Sequence, residues 1–284
     1  MPTVGLLGAA GAMLGFALVV PLVQAALVGL AWLVRGRPGQ FSSYSAAARR
    51  YENVEGLVAT HLALASLTLV VLLLARFLNH RRPRWVWSVQ PGMRWRFLLL
   101  VALVAAVVLN LTQILVRGVH PWHLHAPPHW WVWMLAILVT APLQALAEEV
   151  FFRGYLVNCL TGMGLNSWFA VVGSALVFAL AHGTQNLWLF VDRFAFGLLA
   201  GLLVVITGGL EAGIAAHAVN NVFAFGYAVF QGGAAHARGI TAMGWVDAAW
   251  DVAGFATVAA AAWWIGSMLK VARRTPVGRD LPVS

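Results

Sequence analysis

The sequence predicts an all-α fold: a polytopic membrane protein of about eight transmembrane helices enclosing a cavity inside the membrane. Three observations predict it. The chain of 284 residues is 61% hydrophobic and only 10% charged, where a soluble domain carries about 25% charged residues. Several apolar runs reach the ~20 residues a helix needs to cross the ~30 Å hydrocarbon layer. Among the few ionisable residues inside those runs three short groups stand out, and such residues at membrane depth face a bundle interior or a wet cavity. A net charge of +9 would suggest nucleic acid in a soluble protein. Here the arginines occupy short connections between apolar runs, which points to membrane topology and anionic headgroups and to no nucleic-acid partner. The single cysteine, Cys159, excludes an internal disulfide and a cysteine-based metal cluster.

The N-terminal MPTVGLLGAAGAML lacks a basic n-region, so it reads as the start of a retained helix and not a cleaved signal peptide. The first span is expected over residues 6–34, with a tilt or break near Pro21. The polar stretch RGRPGQFSSYSAAARRYENVEG suits a short amphipathic or re-entrant helix. Spans two and three are expected over 57–78 and 97–116, joined by the arginine-rich RFLNHRRPRWVWSVQPGMRWR. The next connection carries His120, His123, His125 and His129 (the loop 120–129); it reads as a Trp- and Pro-rich interfacial loop, although the histidine spacing would also suit a metal. Span four starts near Trp130 and is expected to end in AEEVFFRGYL. Spans five to eight are expected over 167–181, 187–206, 210–230 and 247–269, before a basic tail. Gly197 and Gly201 form a small-xxx-small pair for close packing in span six. Asp192 and Arg193 are expected to line the cavity or its mouth, and Glu211 suits a helix N-terminus.

The chain divides into an N-terminal transmembrane region (1–129, about three spans), a core (130–231), and a last span with a basic tail (232–284). Arg81, Arg82, Arg84, Arg94 and Arg96 fall on the same side as Lys270, Arg273, Arg274 and Arg279 if the spans are even in number. The positive-inside rule makes that side, with both termini, cytoplasmic. The arginine-rich, lysine-poor composition points to a GC-rich genome and a bacterial cell membrane.

The three groups carry the chemistry. In AEEVFFRGYL, Glu149 and Arg153 are four residues apart and can pair on a helix, while Glu148 points about 100° away. That frees Glu148 to project into a cavity, unless the whole group is a helix-end ion pair. In VFALAHG, His182 ends an apolar run four residues after Phe178. In AAHAVNN, His217 and Asn221 share one helix face and Asn220 lies on a neighbouring one, a pattern that also suits helix–helix hydrogen bonding. Glutamate and histidine can activate water as general bases. Histidine and asparagine can donate to a developing oxyanion. Amide hydrolysis needs both functions.

The order EEVFFR, FALAH and HAVNN resembles the EExxxR, FxxxH and HxxxN/B motifs of the CPBP family, the CAAX-protease and bacteriocin-processing membrane proteins, also called Abi. That family includes the type II CAAX prenyl endopeptidases. The resemblance covers residues 130–230. It implies a membrane-embedded peptidase whose eight or so helices enclose a catalytic cavity. By the resemblance, Glu148 is the catalytic base, His182 helps hold the water, and His217 and Asn221 form the oxyanion site. Glu149 and Arg153 organise the motif, with Phe178 in support. Family members have been described both as metalloproteases and as metal-independent glutamate proteases. One free carboxylate and two histidines favour no cofactor; if zinc is bound, its ligands would be Glu148, His182 and His217. The implied partners are a membrane protein or lipidated peptide as substrate, and the bilayer. The alternatives are a non-proteolytic immunity or scaffold protein of the same family and a proton-coupled transporter. Intact Glu148, His182, His217 and Asn221 favour the enzyme, and no inverted repeat supports the transporter.

Overall fold

The computed structural model describes residues 2–117 and 125–275, so His120, His123 and Arg279 lie outside the described residues. The described part is helical apart from turns, connecting segments and isolated bridging such as that between Ser88 and Gly209. Helix α1 spans Pro2–Val34 and runs unbroken through Pro21. One proline removes a single N–H from a long helix, and a membrane offers no water to compete for the rest. A short helix α2 (Phe41–Arg49) follows, as the polar stretch suggested. Helices α3 (Val54–Ala65) and α4 (Leu67–Phe77) form a second span, interrupted only at Ser66. Asn53 caps α3 by accepting the Gly56 N–H at 2.9 Å. Helix α5 covers Trp95–Arg117.

The central element departs from the expectation. Helix α6 (Trp130–Glu148) does not end in the charged motif. It passes into a π-helical segment, Glu149–Leu156, and then α7 (Val157–Gly162), making one 33-residue span. Glu148, Glu149 and Arg153 are therefore mid-span and buried, because each finds a polar partner inside the bundle. Helices α8 (Ser167–Ala181), α9 (Leu187–Thr207), α10 (Glu211–Phe230), α11 (Ala234–Arg238) and α12 (Trp245–Met268) complete the chain.

Seven helical spans are long and apolar enough to cross a membrane; α8, with 15 residues, is the short one. At 1.5 Å per residue it covers about 22 Å, less than the ~30 Å hydrocarbon layer. It stops at His182, and Gly183, with φ +79°, turns the chain towards α9. The residues at that early stop, Ala181 to Thr184, line the cavity described below. The glycine pair of α9 packs as its spacing suggested. A Cβ on Gly197 would lie 2.9 Å from the Ala175 Cβ, and one on Gly201 would lie 2.6 Å from Val171 Cγ1, so α9 sits tightly against α8.

One buried clamp ties several helix ends together. Arg94, just before α5, donates to both oxygens of Glu211 at 2.8 and 2.6 Å, and to the carbonyls of Thr207 and Ala272. The start of α5, the end of α9, the start of α10 and the stretch after α12 thus share one face. Glu211 does more there than complement a helix N-terminus. On the opposite face, Asn186 donates to the Met243 carbonyl, and His125 N–H donates to the Phe230 carbonyl. Leucines on the outer faces of α1, α4 and α5 are exposed, as a lipid-facing surface requires.

Candidate active site

Three helices bring the motif residues to one place. The α6–π segment supplies Glu148, Glu149 and Arg153, the end of α8 supplies Phe178 and His182, and α10 supplies His217 and Asn221. The π turn, which is often found at functional sites, lets one of its carbonyls take a second donor. Val157 N–H bonds the Phe152 carbonyl five residues back, and the Ser174 hydroxyl of α8 donates to the same oxygen at 2.7 Å.

The two glutamates have different surroundings, as helical geometry suggested. Glu149 is wholly buried. Its Oε1 accepts from Arg153 Nη1 at 2.9 Å and lies 2.8 Å from His217 Nδ1. Its Oε2 makes no hydrogen bond and lies against Gly213, where a Cβ would come within 2.7 Å of it. Only glycine allows α10 to approach this closely. The Arg153 guanidinium is caged by rings, with Cζ 4.1 Å from the Phe178 centroid, 5.2 Å from Phe196 and 5.9 Å from Phe152. The aromatic faces attract the cation where water is absent. Phe178 also acts through its carbonyl, which accepts from His182 Nδ1 at 2.8 Å. That bond places the ring proton of a neutral His182 on Nδ1 and leaves Nε2 as an acceptor.

Glu148 keeps one oxygen in reserve. Oε1 accepts from Gln144 Nε2 at 2.7 Å, while Oε2 has no hydrogen bond and sits 3.5 Å from His217 Nε2. His217 therefore stands between both carboxylates, with Nδ1 on Glu149 and Nε2 towards Glu148. Asn221 Nδ2 donates to Gln144 Oε1 at 2.7 Å. Asn220 turns aside from the cavity but touches the site indirectly, donating to Asn221 Oδ1 at 3.3 Å.

Glu148, His182, His217 and Asn221 all line one cavity of about 830 Å³. Its mouth lies on the face of α2, α11 and the α8–α9 turn. Arg193 lines it as expected, whereas Asp192 does not. Gln144 was missed by the sequence reading. The signal was present: a carboxamide one helical turn before Glu148 in an apolar run. Its carboxamide orients two site residues at once. Among the described residues no three ligating side chains converge, and His217 is already held between two carboxylates. His125 and His129 are exposed ahead of α6 and join no such group.

Comparison with known proteins gives one curated relative and one family. The chain is 26% identical over 164 residues to "Uncharacterized protein YyaK" of Bacillus subtilis (strain 168). That alignment covers 54% of this chain and 54% of the relative, so the chain spans about half the length of the curated relative it matches. No solved structure matches. The family model "Type II CAAX prenyl endopeptidase Rce1-like" matches residues 127–223, a stretch that holds Gln144, Glu148, Glu149, Arg153, His182, His217 and Asn221. Over that roughly one third of its length, this integral membrane protein is similar to the Rce1-like family of membrane proteases.

Proposed function

We propose that the cavity hydrolyses a peptide bond in a membrane-associated protein or peptide, using water activated by Glu148 without a metal. The observation that carries this reading is the division of labour between adjacent glutamates. Glu149 Oε1 is taken by Arg153 and His217 and its Oε2 lies against Gly213, away from the cavity, while Glu148 Oε2 is unpartnered on a residue that lines the cavity. Burying an unpaired carboxylate oxygen is costly, and a site that must accept a proton from water is a reason to retain it.

In the proposed sequence, water lies between Glu148 Oε2 and His182 Nε2. Glu148 takes one proton, and the hydroxide forms a bond to the carbonyl carbon. The carbonyl π electrons move to oxygen. The Asn221 carboxamide keeps one N–H beyond its bond to Gln144, and that N–H donates to the oxyanion, joined by Nε2–H when His217 is the imidazolium, since its Nδ1–H is already directed at Glu149. Glu148 then returns its proton to the amide nitrogen as the C–N bond breaks, leaving a carboxylic acid and an amine. Gln144 holds Glu148 Oε1 so that Oε2 is the oxygen offered.

The arginine-rich face that carries both chain ends is taken as cytoplasmic, which opens the cavity mouth on the other face. Labelling of single cysteines by a membrane-impermeant maleimide, introduced at Gly39 and Gly92 in a Cys159→Ala background, tests this orientation. Labelling of Gly92→Cys alone in right-side-out vesicles would reverse it.

The decisive experiment is Glu148→Gln. Cleavage is expected to fall by about 10²–10⁴-fold, the range for a positioned general base, with membrane insertion and melting temperature retained. Comparing protein termini in membranes from wild-type and Glu148→Gln cells would identify the substrate. Normal turnover by a well-folded Glu148→Gln enzyme would refute the assignment.

A further inference from the structure

The cavity has a second chemical character at its mouth. Arg49 at the end of α2, Arg50 just after it, Arg193 in the first turns of α9 and Arg238 at the end of α11 all line it. Among the described residues, the carboxylates lining it are Glu148, deep in the site, and Glu52. Glu52 is taken by Arg50, with Nε 2.6 Å from Oε1. Among the described residues, Arg49, Arg193 and Arg238 have no carboxylate within ion-pair distance. Arg49 donates to the Ser45 hydroxyl, Arg193 donates to Gln185 Oε1 at 2.8 Å, and Arg238 lies 5.4 Å over the Tyr51 ring.

These contacts place the cations without pairing them to a carboxylate, although Asp192, beside Arg193 in the chain, offsets part of that one charge. Gln185 in turn donates to the Ala179 carbonyl, three residues before His182. Arg193 is thereby tied to the helix end that carries His182. On the orientation proposed above, membrane topology does not account for the three arginines, since they lie on the face away from the cytoplasm. Guanidinium groups bind carboxylates through paired, charge-assisted hydrogen bonds. A concave basic mouth also raises the local concentration of anions. At about 830 Å³ the cavity is within the usual range for small-ligand pockets, ~300–1,000 Å³. It suits a short extended segment and not a folded domain.

We propose that Arg49, Arg193 and Arg238 form a carboxylate-binding subsite that selects peptides carrying an anionic group close to the bond to be cleaved. The carboxylate comes either from an acidic side chain or from the end of the substrate chain. The proposal rests on the peptidase reading for its substrate class.

The test uses full-length Glu148→Gln protein in nanodiscs of zwitterionic lipid and a fluorescent short apolar peptide in four versions. The peptide bears Glu or Gln near its C-terminal end, and its C-terminus is free or amidated. Peptides with a carboxylate are expected to bind about tenfold more tightly than the uncharged version, the size expected of one charge-assisted hydrogen bond. Salt should weaken the preference. A preference for Glu over Gln identifies the side chain, and a preference for acid over amide identifies the chain end. The Arg49→Gln, Arg193→Gln, Arg238→Gln triple variant should lose the preference at unchanged melting temperature, and lysine at the three positions should restore part of it. Equal binding of all four peptides would overturn the proposal, as would a preference that survives the triple variant. Loss of co-purified anionic lipid from the triple variant, without any peptide preference, would overturn it in favour of a lipid site. Wild-type protein that cleaves all four peptides equally defeats the subsite and leaves the peptidase reading standing. Binding with the expected preference but no cleavage by wild type supports the subsite and defeats the peptidase reading.

Discussion

Two buried arginine–glutamate pairs in this molecule differ in how completely they are satisfied. Arg94 and Glu211 saturate each other. Both carboxylate oxygens are bonded, the Arg94 backbone N–H adds a third contact at 3.1 Å, and the guanidinium Nη1 reaches two carbonyls. Arg153 and Glu149 share one bond of 2.9 Å, leaving Glu149 Oε2 and Arg153 Nε and Nη2 without hydrogen bonds. Aromatic faces and His217 complete that pair instead. A saturated pair can only hold helices together. An unsaturated one hands its charge on to His217 and, through it, to Glu148, so its integrity is tied to the chemistry of the site.

The largest effect should come from breaking each pair. Removing one partner of a buried ion pair costs about 3–5 kcal/mol, because it strands the other charge. Arg94→Met should therefore lower stability by about that much, yet the folded fraction should retain its kcat. Glu149→Gln should cost similar stability and also lose most activity, because His217 loses the carboxylate that orients its Nδ1. Denaturant titration paired with active-fraction kinetics separates the two outcomes. If Arg94→Met lost kcat as fully as Glu149→Gln, the distinction between clamp and site would collapse.

Next in size is Asn221→Ala. An oxyanion donor is worth about 10²–10³-fold in kcat, with a smaller effect on KM. Asn220→Ala should be milder, since Asn220 reaches the site only through Asn221 Oδ1. A fall in melting temperature for Asn221→Ala with kcat unchanged would make it a helix-packing residue instead.

Gln144→Ala should cost less, about tenfold in kcat, by releasing Glu148 Oε1 and Asn221 together. Coupling is the sharper readout. In a double-mutant cycle, Gln144→Ala and Asn221→Ala should be non-additive, because each removes the same hydrogen bond. Additive losses would show that Gln144 acts elsewhere.

The smallest expected effect is that of a chelator. Dialysis against a strong chelator should leave activity unchanged, and elemental analysis should find no stoichiometric zinc. Activity lost to the chelator and restored by zinc would mean that His217 leaves Glu149 in the working enzyme to become a ligand with Glu148 and His182.

Much of the architecture was legible in the sequence by itself, because hydropathy and helix ends are local properties. Expected spans of 167–181, 187–206 and 210–230 correspond to observed helices Ser167–Ala181, Leu187–Thr207 and Glu211–Phe230. Their ends are marked by Asn166 and Asn186, which cap α8 and α9, and by Gly208 at φ +71° after α9. The relation of Glu149 to Arg153 was legible too, since a spacing of four on a helix is a contact. What only the tertiary structure decided is what joins residues far apart in the chain. His217 meets Glu149 across 68 positions, Asn221 meets Gln144 across 77, and Glu211 meets Arg94 across 117. No local pattern encodes such pairings; they arise when helices pack and each buried polar group must find a partner. The same packing turned the expected end of span four into a continuous helix. Charges that would stop a lone helix at the membrane surface are tolerated mid-span once other helices supply their partners.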